Sequence, residues 1–387
     1  MMLHSLKRRR IPPSGILIGL TRRWICTDGG TTVMSFGDGS HGALGLPMSI
    51  PGLGSDAYEP TPVPGLPRDV TGIAAGHFHS LAVTRDRISP RETWNEPKRV
   101  EGLEKVRVRA AFASGVVSAA LGEDGSLWVW GSSKRGQLGL GEGITETVVP
   151  TRVETLLGEY IVKVSLGWGH ALAMTRSGRL FGWGYYADGR IGKIGKELEI
   201  SPLESNSSEF KSVEAAEQSV LEAMEKEKDM PTIWNPGLVE ELQGLKVEDV
   251  ACGLDHSLVV CSDGTLLSGG SNAYGQLGRT NQDLGMHPVD IGSRTLNIAQ
   301  GPGNIPQQVK GLDGEIPKLV SAGRAHSLVL TTKNEVWAWG CGKNGRLGLC
   351  SSADESEPML VDFSQGFEAW EAMAGLDHSL VLGKIIC

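Results

Sequence analysis

The sequence predicts an all-β fold, a closed ring of short antiparallel sheets, on three observations. A G-x-x-H segment, a short polar turn, an aromatic-Gly strand and a G-x-L-G loop recur in fixed order along the 387 residues. Glycine (53) and tryptophan (10) are abundant and long helical periodicity is scarce, the mixture expected of many short strands joined by tight turns. The chain also enters on the second half of a repeat and leaves on the first half of another. A unit of this kind buries both faces only between neighbours, so copies stack. Pairing the two terminal half-repeats would close the stack into a β-propeller of about six to seven blades without exposed sheet edges.

In chain order, residues 1–26 come first. They hold Lys7, Arg8, Arg9, Arg10, Arg22 and Arg23 ahead of the first acid, Asp28. An Arg-rich, acid-free start with Ser and Thr reads most simply as a mitochondrial transit peptide. Two other readings stay open: a nuclear address through Lys7-Arg8-Arg9-Arg10, and a basic tail in a nuclear or cytoplasmic protein. Pro12-Pro13 interrupts any continuous amphipathic helix. Residues 27–387 are expected to form the propeller. The whole chain carries −8 and these residues carry −14, so direct nucleic-acid binding by a broad basic face is not expected. No apolar run of about 18 residues argues for a membrane span. The six cysteines are scattered, without a C-x-x-C pair or a histidine at metal-ligand spacing, and read as reduced thiols. Neither a metal nor a cofactor is expected.

Val33-Met34-Ser35-Phe36-Gly37 leads to Gly42-Ala43-Leu44-Gly45, a second half; Ala374 to Leu382 is a first half. Between them the glycine opening each G-x-x-H-like unit falls at 76, 115, 167, 253, 323 and 375, at intervals of 39, 52, 86, 70 and 52. The period is therefore 52. The surplus in the interval of 86 is Lys193 to Thr232, with five Lys and ten acids. Val213, Ala216, Val220, Ala223 and Met224 fall there at helical spacing, which reads as an acidic helical insertion or, with so thin a stripe, a flexible acidic one. The surplus in the interval of 70 is a long Gly- and Pro-containing loop over 279–304. The interval of 39 lacks an aromatic-Gly strand and a G-x-L-G loop after Asp86, as though the chain were shortened between about Arg85 and Pro97 and had lost a blade.

Within the copy at Gly115, Asp124-Gly125 between apolar runs signals a hairpin, read as a turn with both central residues at positive φ. Trp128 and Trp130 are two apart and share a strand face, available to wedge against the next blade. The slot of Trp130 holds Trp183, Trp339, Phe36 and, in one copy, Gly269. His79, His170, His256, His326 and His378 all stand in G-x-x-H. A residue placed identically around a ring cannot converge on one substrate, so these read as buried structural histidines. Gly37-Asp38-Gly39-Ser40-His41-Gly42 and Gly340-Cys341-Gly342-Lys343-Asn344-Gly345 match G-x-G-x-x-G, but they lead into G-x-L-G loops rather than opening a helix that could receive a pyrophosphate. No nucleophile with an evident base is found, and no catalytic residue is expected.

A-G-x-x-H-S-L, D-G-x-x-x-x-W-G and G-Q-L-G at a period near 52 resemble the regulator of chromosome condensation repeat family, over roughly residues 33–384. The resemblance implies a seven-bladed propeller closed by both termini. Six G-x-x-H-like units are found here, with Ser118 standing for one histidine. It also implies one of three functions: guanine nucleotide exchange on a small GTPase, ultraviolet sensing, or scaffolding. In exchange factors of the family, residues just before the repeat histidine help dislodge the nucleotide. The matching slots hold Phe78, Val117, Gly169, Asp255, Ala325 and Asp377, of which only the two acids have suitable chemistry. The ultraviolet-sensing signature is G-W-R-H-T in neighbouring repeats; Gly167-Trp168-Gly169-His170-Ala171 approaches it without the arginine. The expectation is a non-catalytic interaction scaffold binding a protein partner. Exchange on a small GTPase is the alternative, and ultraviolet-B reception is the remotest reading. Trp168, Asp255, Arg324 and Asp377 are the candidates for the partner face.

Overall fold

The computed structural model describes residues 31–39, 44, 46, 56–64, 66, 70–75, 80–84, 100–115, 117–192, 194, 231–279, 286–291, 294–299, 307–312, 314–363 and 366–385. The leader, His79, the junction from Arg85 to Arg99 and nearly all of the acidic insertion lie outside these residues.

Strands β1 (Thr32–Gly37) and β2 (Ala57–Pro62) pair near the N-terminus, and β3 (Val70–Ala75) and β4 (Ser80–Thr84) form a two-stranded sheet, blade 2. Blade 3 is β5 (Val108–Ala113), β6 (Val117–Gly122), β7 (Leu127–Ser132) and β8 (Glu146–Arg152). Blade 4 is β9 (Ile161–Leu166), β10 (His170–Thr175), β11 (Leu180–Tyr185) and β12 (Thr232–Leu238). In blade 5, β13 (Val247–Cys252), β14 (His256–Cys261) and β15 (Leu266–Gly270) precede a separate hairpin of β16 (Met286–Ile291) and β17 (Arg294–Ala299); β18 (Gln307–Gln308) then completes the sheet. The hairpin falls within the stretch 279–304, where the sequence predicts only a loop. Blade 6 is β19 (Pro317–Ala322), β20 (His326–Thr331), β21 (Val336–Gly340) and β22 (Glu355–Leu360). Finally β23 (Phe367–Ala374) and β24 (His378–Ile385) meet β1 in the order β2-β1-β24-β23, registered from Thr32 opposite Gly383 to Gly37 opposite His378. The termini therefore share blade 1, as the two half-repeats require. Five four-stranded blades and one two-stranded blade make six positions among the described residues, within the range read from the sequence.

Strands β10, β14 and β20, the second strands of blades 4, 5 and 6, are buried along their whole length, which is why these segments read as unbroken apolar runs. The turn that follows is not the mirror-image type read from Asp-Gly. Gly125 alone takes a left-handed φ (+80°), with Gly125 N–H donating to Gly122 O at 3.0 Å and Gly122 N–H to Ser126 O at 2.9 Å. This is a type I turn closed by a glycine bulge. It recurs at Gly178, Gly264 and Asn334. Asp124 Oδ1 takes the Ser126 N–H at 3.0 Å, so the aspartate caps the turn rather than entering the left-handed region.

Blades are joined by a repeated seam. His170 Nε2 lies 2.8 Å from Ser257 Oγ of the next blade, His256 Nε2 2.9 Å from Ser327 Oγ, and His326 Nε2 3.1 Å from Ser379 Oγ. Each serine donates to a carbonyl of its preceding blade's G-x-L-G loop: Ser257 to Arg190 O, Ser327 to Gln276 O, Ser379 to Arg346 O. A serine that donates there must accept from the imidazole, so each histidine is neutral with its proton on Nε2. Burial pushes His256 down to about 4 and holds His170 and His326 well below the ordinary range. The aromatic slot adds a second tie. Trp183 Nε1–H donates to Gln137 O at 2.8 Å and Trp339 Nε1–H to Gln276 O at 2.9 Å, both rings fully buried. The last glycine of the loop lies under the ring; a Cβ on Gly139 would sit 2.8 Å from Trp183 Nε1, and one on Gly348 3.0 Å from the Phe36 ring. Both loop glycines also hold left-handed φ, which explains the motif. Trp130 is only half-buried and makes no such bond.

Candidate interaction face

One rim of the ring is built from two kinds of loop: the G-x-x-H loops, and the G-x-L-G loops of the preceding blades. The opening glycines touch around the ring, since a Cβ on Gly167, Gly253 or Gly323 would lie 2.5 Å from the carbonyl oxygen of Gly253, Gly323 or Gly375. The next residue's backbone bonds forward as well: Trp168 N–H to Gly253 O at 3.3 Å, Leu254 N–H to Gly323 O at 3.1 Å, Arg324 N–H to Leu376 O at 2.9 Å. With the backbone so fixed, the two residues between glycine and histidine are the ones free to vary on this rim.

The four sequence candidates all lie here, in different settings. Trp168 is 38% exposed, whereas Leu376 in the same slot is buried. Arg324 grips Asp377 with Nε 2.9 Å from Oδ1 and Nη2 2.8 Å from Oδ2. Asp377 also takes Arg346 Nη1 at 2.5 Å. Asp255 takes Arg190 Nη1 at 2.5 Å, and Arg190 Nη2 reaches Asp188 Oδ2 at 3.0 Å. The two acids thus face guanidiniums that are themselves buried (3% and 4% exposed). A buried guanidinium needs such a partner.

Arg190 and Arg346 are not among the sequence candidates, yet the sequence carries a signal for them. The middle of the G-x-L-G loop is Gln137, Arg190, Gln276 or Arg346, and the slot before the next blade's histidine is Gly169, Asp255, Ala325 or Asp377. Arginine goes with aspartate, glutamine with a small residue. Where glutamine stands it bonds to backbone instead: Gln137 Nε2 donates to Gly167 O of the next blade at 2.5 Å, and Gln276 Oε1 accepts the Tyr274 N–H of its own loop at 2.8 Å.

Beside Trp168 lies a second group that sequence reading misses. Gly169 has no side chain, and a Cβ there would be 2.8 Å from Arg135 Cδ, so the arginine from the blade 3 loop fills the slot. Arg135 lies 5.9 Å and Arg190 4.6 Å from the centre of the Tyr185 ring, within cation–π range. Burial pushes the Tyr185 hydroxyl up, so it stays protonated. Guanidiniums, exposed indole and phenol suit recognition of a protein surface. Among the described residues no cluster of three or more metal-ligating side chains occurs, and no helix is long and apolar enough to cross a membrane.

Five four-stranded blades and one two-stranded blade among the described residues, with the termini sharing one of them, define a β-propeller. The model of the RCC1-like domain matches residues 85–384, and that of the regulator of chromosome condensation (RCC1) repeat matches residues 32–83. The chain belongs to this family. It is 28% identical over 350 residues to the ultraviolet-B receptor UVR8 of Arabidopsis thaliana, covering 86% of this chain and 66% of the receptor. To the human E3 ubiquitin-protein ligase HERC2 it is 27% identical over 413 residues, covering 92% of this chain and 8% of the ligase. The chain thus spans about two thirds of the receptor and under a tenth of the ligase. Among solved structures, human WBSCR16 superposes with a TM-score of 0.65 at 18% identity, over 93% of this chain and all of that one. Prp20p of Saccharomyces cerevisiae, described with its binding properties to Gsp1p and histones, gives 0.61 at 18%, over 93% of each. At such identity the likeness concerns the fold.

Proposed function

We propose that the propeller is a non-catalytic interaction scaffold that presents the rim carrying Trp168 to a protein partner, and that residues 1–26 deliver it to the mitochondrion. The observation that carries this reading is the exposed Trp168 on a rim whose backbone is bonded around the ring. A large amphipathic ring on a preorganised loop is the usual anchor of a protein interface. The description of Prp20p with its binding properties to Gsp1p and histones supports a protein partner.

Exchange on a small GTPase is the second reading, favoured by the acids at 255 and 377. It stands second because Arg190, Arg324 and Arg346 already engage those acids, so a partner would have to displace them.

The test places a photo-crosslinking phenylalanine analogue at 168 in cells, with the same analogue at exposed Val148 on β8 as control. A discrete adduct from 168 and not from 148 is expected; equal labelling at both overturns the rim assignment. Nucleotide release from small GTPases, measured with and without micromolar protein, decides the second reading, and residues 1–30 fused to a fluorescent reporter decide the compartment.

A further inference from the structure

We propose that Arg135, set beside Trp168 and Tyr185, anchors a carboxylate side chain of the partner, so that this part of the rim takes an acidic segment with an apolar neighbour. The inference rests on the interaction-face reading and names the partner's chemistry. The other arginines of the rim are neutralised from within: Arg190 by Asp255 and Asp188, Arg324 and Arg346 by Asp377. Arg135 has no carboxylate partner among the described residues. The reason is local. The slot that supplies the acid at 255 and 377 is Gly169 in this copy, and its missing side chain both withholds a carboxylate and makes the room that Arg135 occupies. An external acid can bring to Arg135, two residues before the loop's middle position at Gln137, the carboxylate that the slot at 169 withholds.

The guanidinium is also presented rather than loose. Its methylene stem passes Gly169, its head lies within cation–π range of Tyr185, and Arg135 N–H is 3.3 Å from Ser133 Oγ. A preorganised planar fork matches a carboxylate in two parallel hydrogen bonds. The adjoining Trp168, 38% exposed, offers apolar area for the residue next to that acid. A single unneutralised arginine suits one carboxylate, whereas phosphate recognition uses clusters of arginines.

The experiment uses the full-length protein and fluorescence anisotropy. The probe is a fluorescein-labelled octapeptide, Gly-Ser-Glu-Leu-Glu-Leu-Gly-Ser, compared with versions carrying Gln or phosphoserine in place of Glu. The wild type is expected to prefer the Glu peptide over the Gln peptide by about tenfold, the worth of one charge-assisted contact. Arg135→Ala should erase that preference, and Arg135→Lys should retain only part of it. Gly169→Asp, which supplies the acid internally and shifts the flexible Arg135 stem, should erase it while leaving the circular dichroism of the propeller unchanged. Equal affinity of the wild type for the Glu and Gln peptides overturns the proposal, as does a preference surviving in Arg135→Ala or a stronger preference for phosphoserine. A crosslink at 168 together with indifference to peptide charge would leave the rim as an interaction face and remove only the carboxylate assignment.

Discussion

Arg346 and Asp377 offer a test of how the rim is built, because the chain contains its own control. Replacing Asp377 by Ala leaves the Arg346 guanidinium, 4% exposed, without its carboxylate. Stranding a buried charge costs about 3–5 kcal/mol. The bond to Arg324, whose side chain is far more exposed, adds roughly 1 kcal/mol at most. With an unfolding entropy of about 2.1 cal/mol/K per residue, a chain of this size should melt roughly 4–7 °C lower. The double change Arg346→Gln with Asp377→Ala rewrites this seam into the pattern of Gln276 and Ala325. The introduced glutamine could then take the Asn344 N–H as Gln276 takes that of Tyr274. The double variant should recover to within about 2 °C of the wild type, a coupling that only contacting residues show. Differential scanning fluorimetry on wild type, both singles and the double is sufficient. A double variant no more stable than Asp377→Ala would refute the paired rule, and an unshifted Asp377→Ala would refute the buried-charge argument itself.

Three further outcomes follow from the seams. Trp183→Phe removes the donor to the buried Gln137 carbonyl and should cost about 1–2 kcal/mol in urea unfolding, whereas Trp130→Phe, at a half-buried ring without that bond, should cost under about 0.5. Glu371 is held above the ordinary glutamate range by burial while it accepts the Ile73 N–H at 3.0 Å. A raised carboxyl pKa favours the fold at low pH and is lost as pH rises through the folded value. Glu371→Gln, which keeps an acceptor, should therefore gain relative to wild type between pH 5 and 7.5 by thermal melt, and a relative loss would contradict this. The buried histidines act in the opposite sense. Their folded pKa values lie below the unfolded value near 6.5, so the stability they contribute is full above that and falls as pH drops through the folded values, about 4 for His256. His256→Gln should lower the melting temperature at pH 7.5 yet flatten the decline between pH 6.5 and 4.

The ring is legible in the sequence because its signals are local and repeated. The histidine slot, the two loop glycines and the aromatic each recur, and complementary half-repeats can only close on each other. The turn type is not legible, because Asp-Gly occurs both in mirror-image turns and in type I turns with a bulge; what separates them is the Asp124 carboxylate bonding to Ser126 N–H, a contact that the dipeptide does not encode. The rim is half legible. Trp168, Asp255, Arg324 and Asp377 stand out because copies differ there, but their partners Arg190 and Arg346 sit in another repeat 65 and 31 residues away. Arg135 is invisible for a different reason. Its room is made by a glycine, and an absent side chain reads as a lost feature.

Two seams depart from the repeat rules, and in each the partners lapse together. Between blades 3 and 4 the histidine is Ser118 and the serine that would receive it is Ala171, so neither half of the pair is left stranded. Gln137 Nε2 takes over, reaching Gly167 O and His170 O across the same seam. Between blades 2 and 3 the lapse is larger. Blade 2 has only β3 and β4 among the described residues, Val108 on β5 is 43% exposed although β9, β13 and β19 bury their first residues, and Trp130 lacks the loop carbonyl that Trp183 and Trp339 find. The family match divides at the same point, 32–83 and 85–384. Each blade's inner strand and aromatic slot are complementary to the outer half of the blade before it. Among the described residues no third strand follows β4, and the bared β5 and the half-covered Trp130 both lie on the side of blade 3 that would meet one.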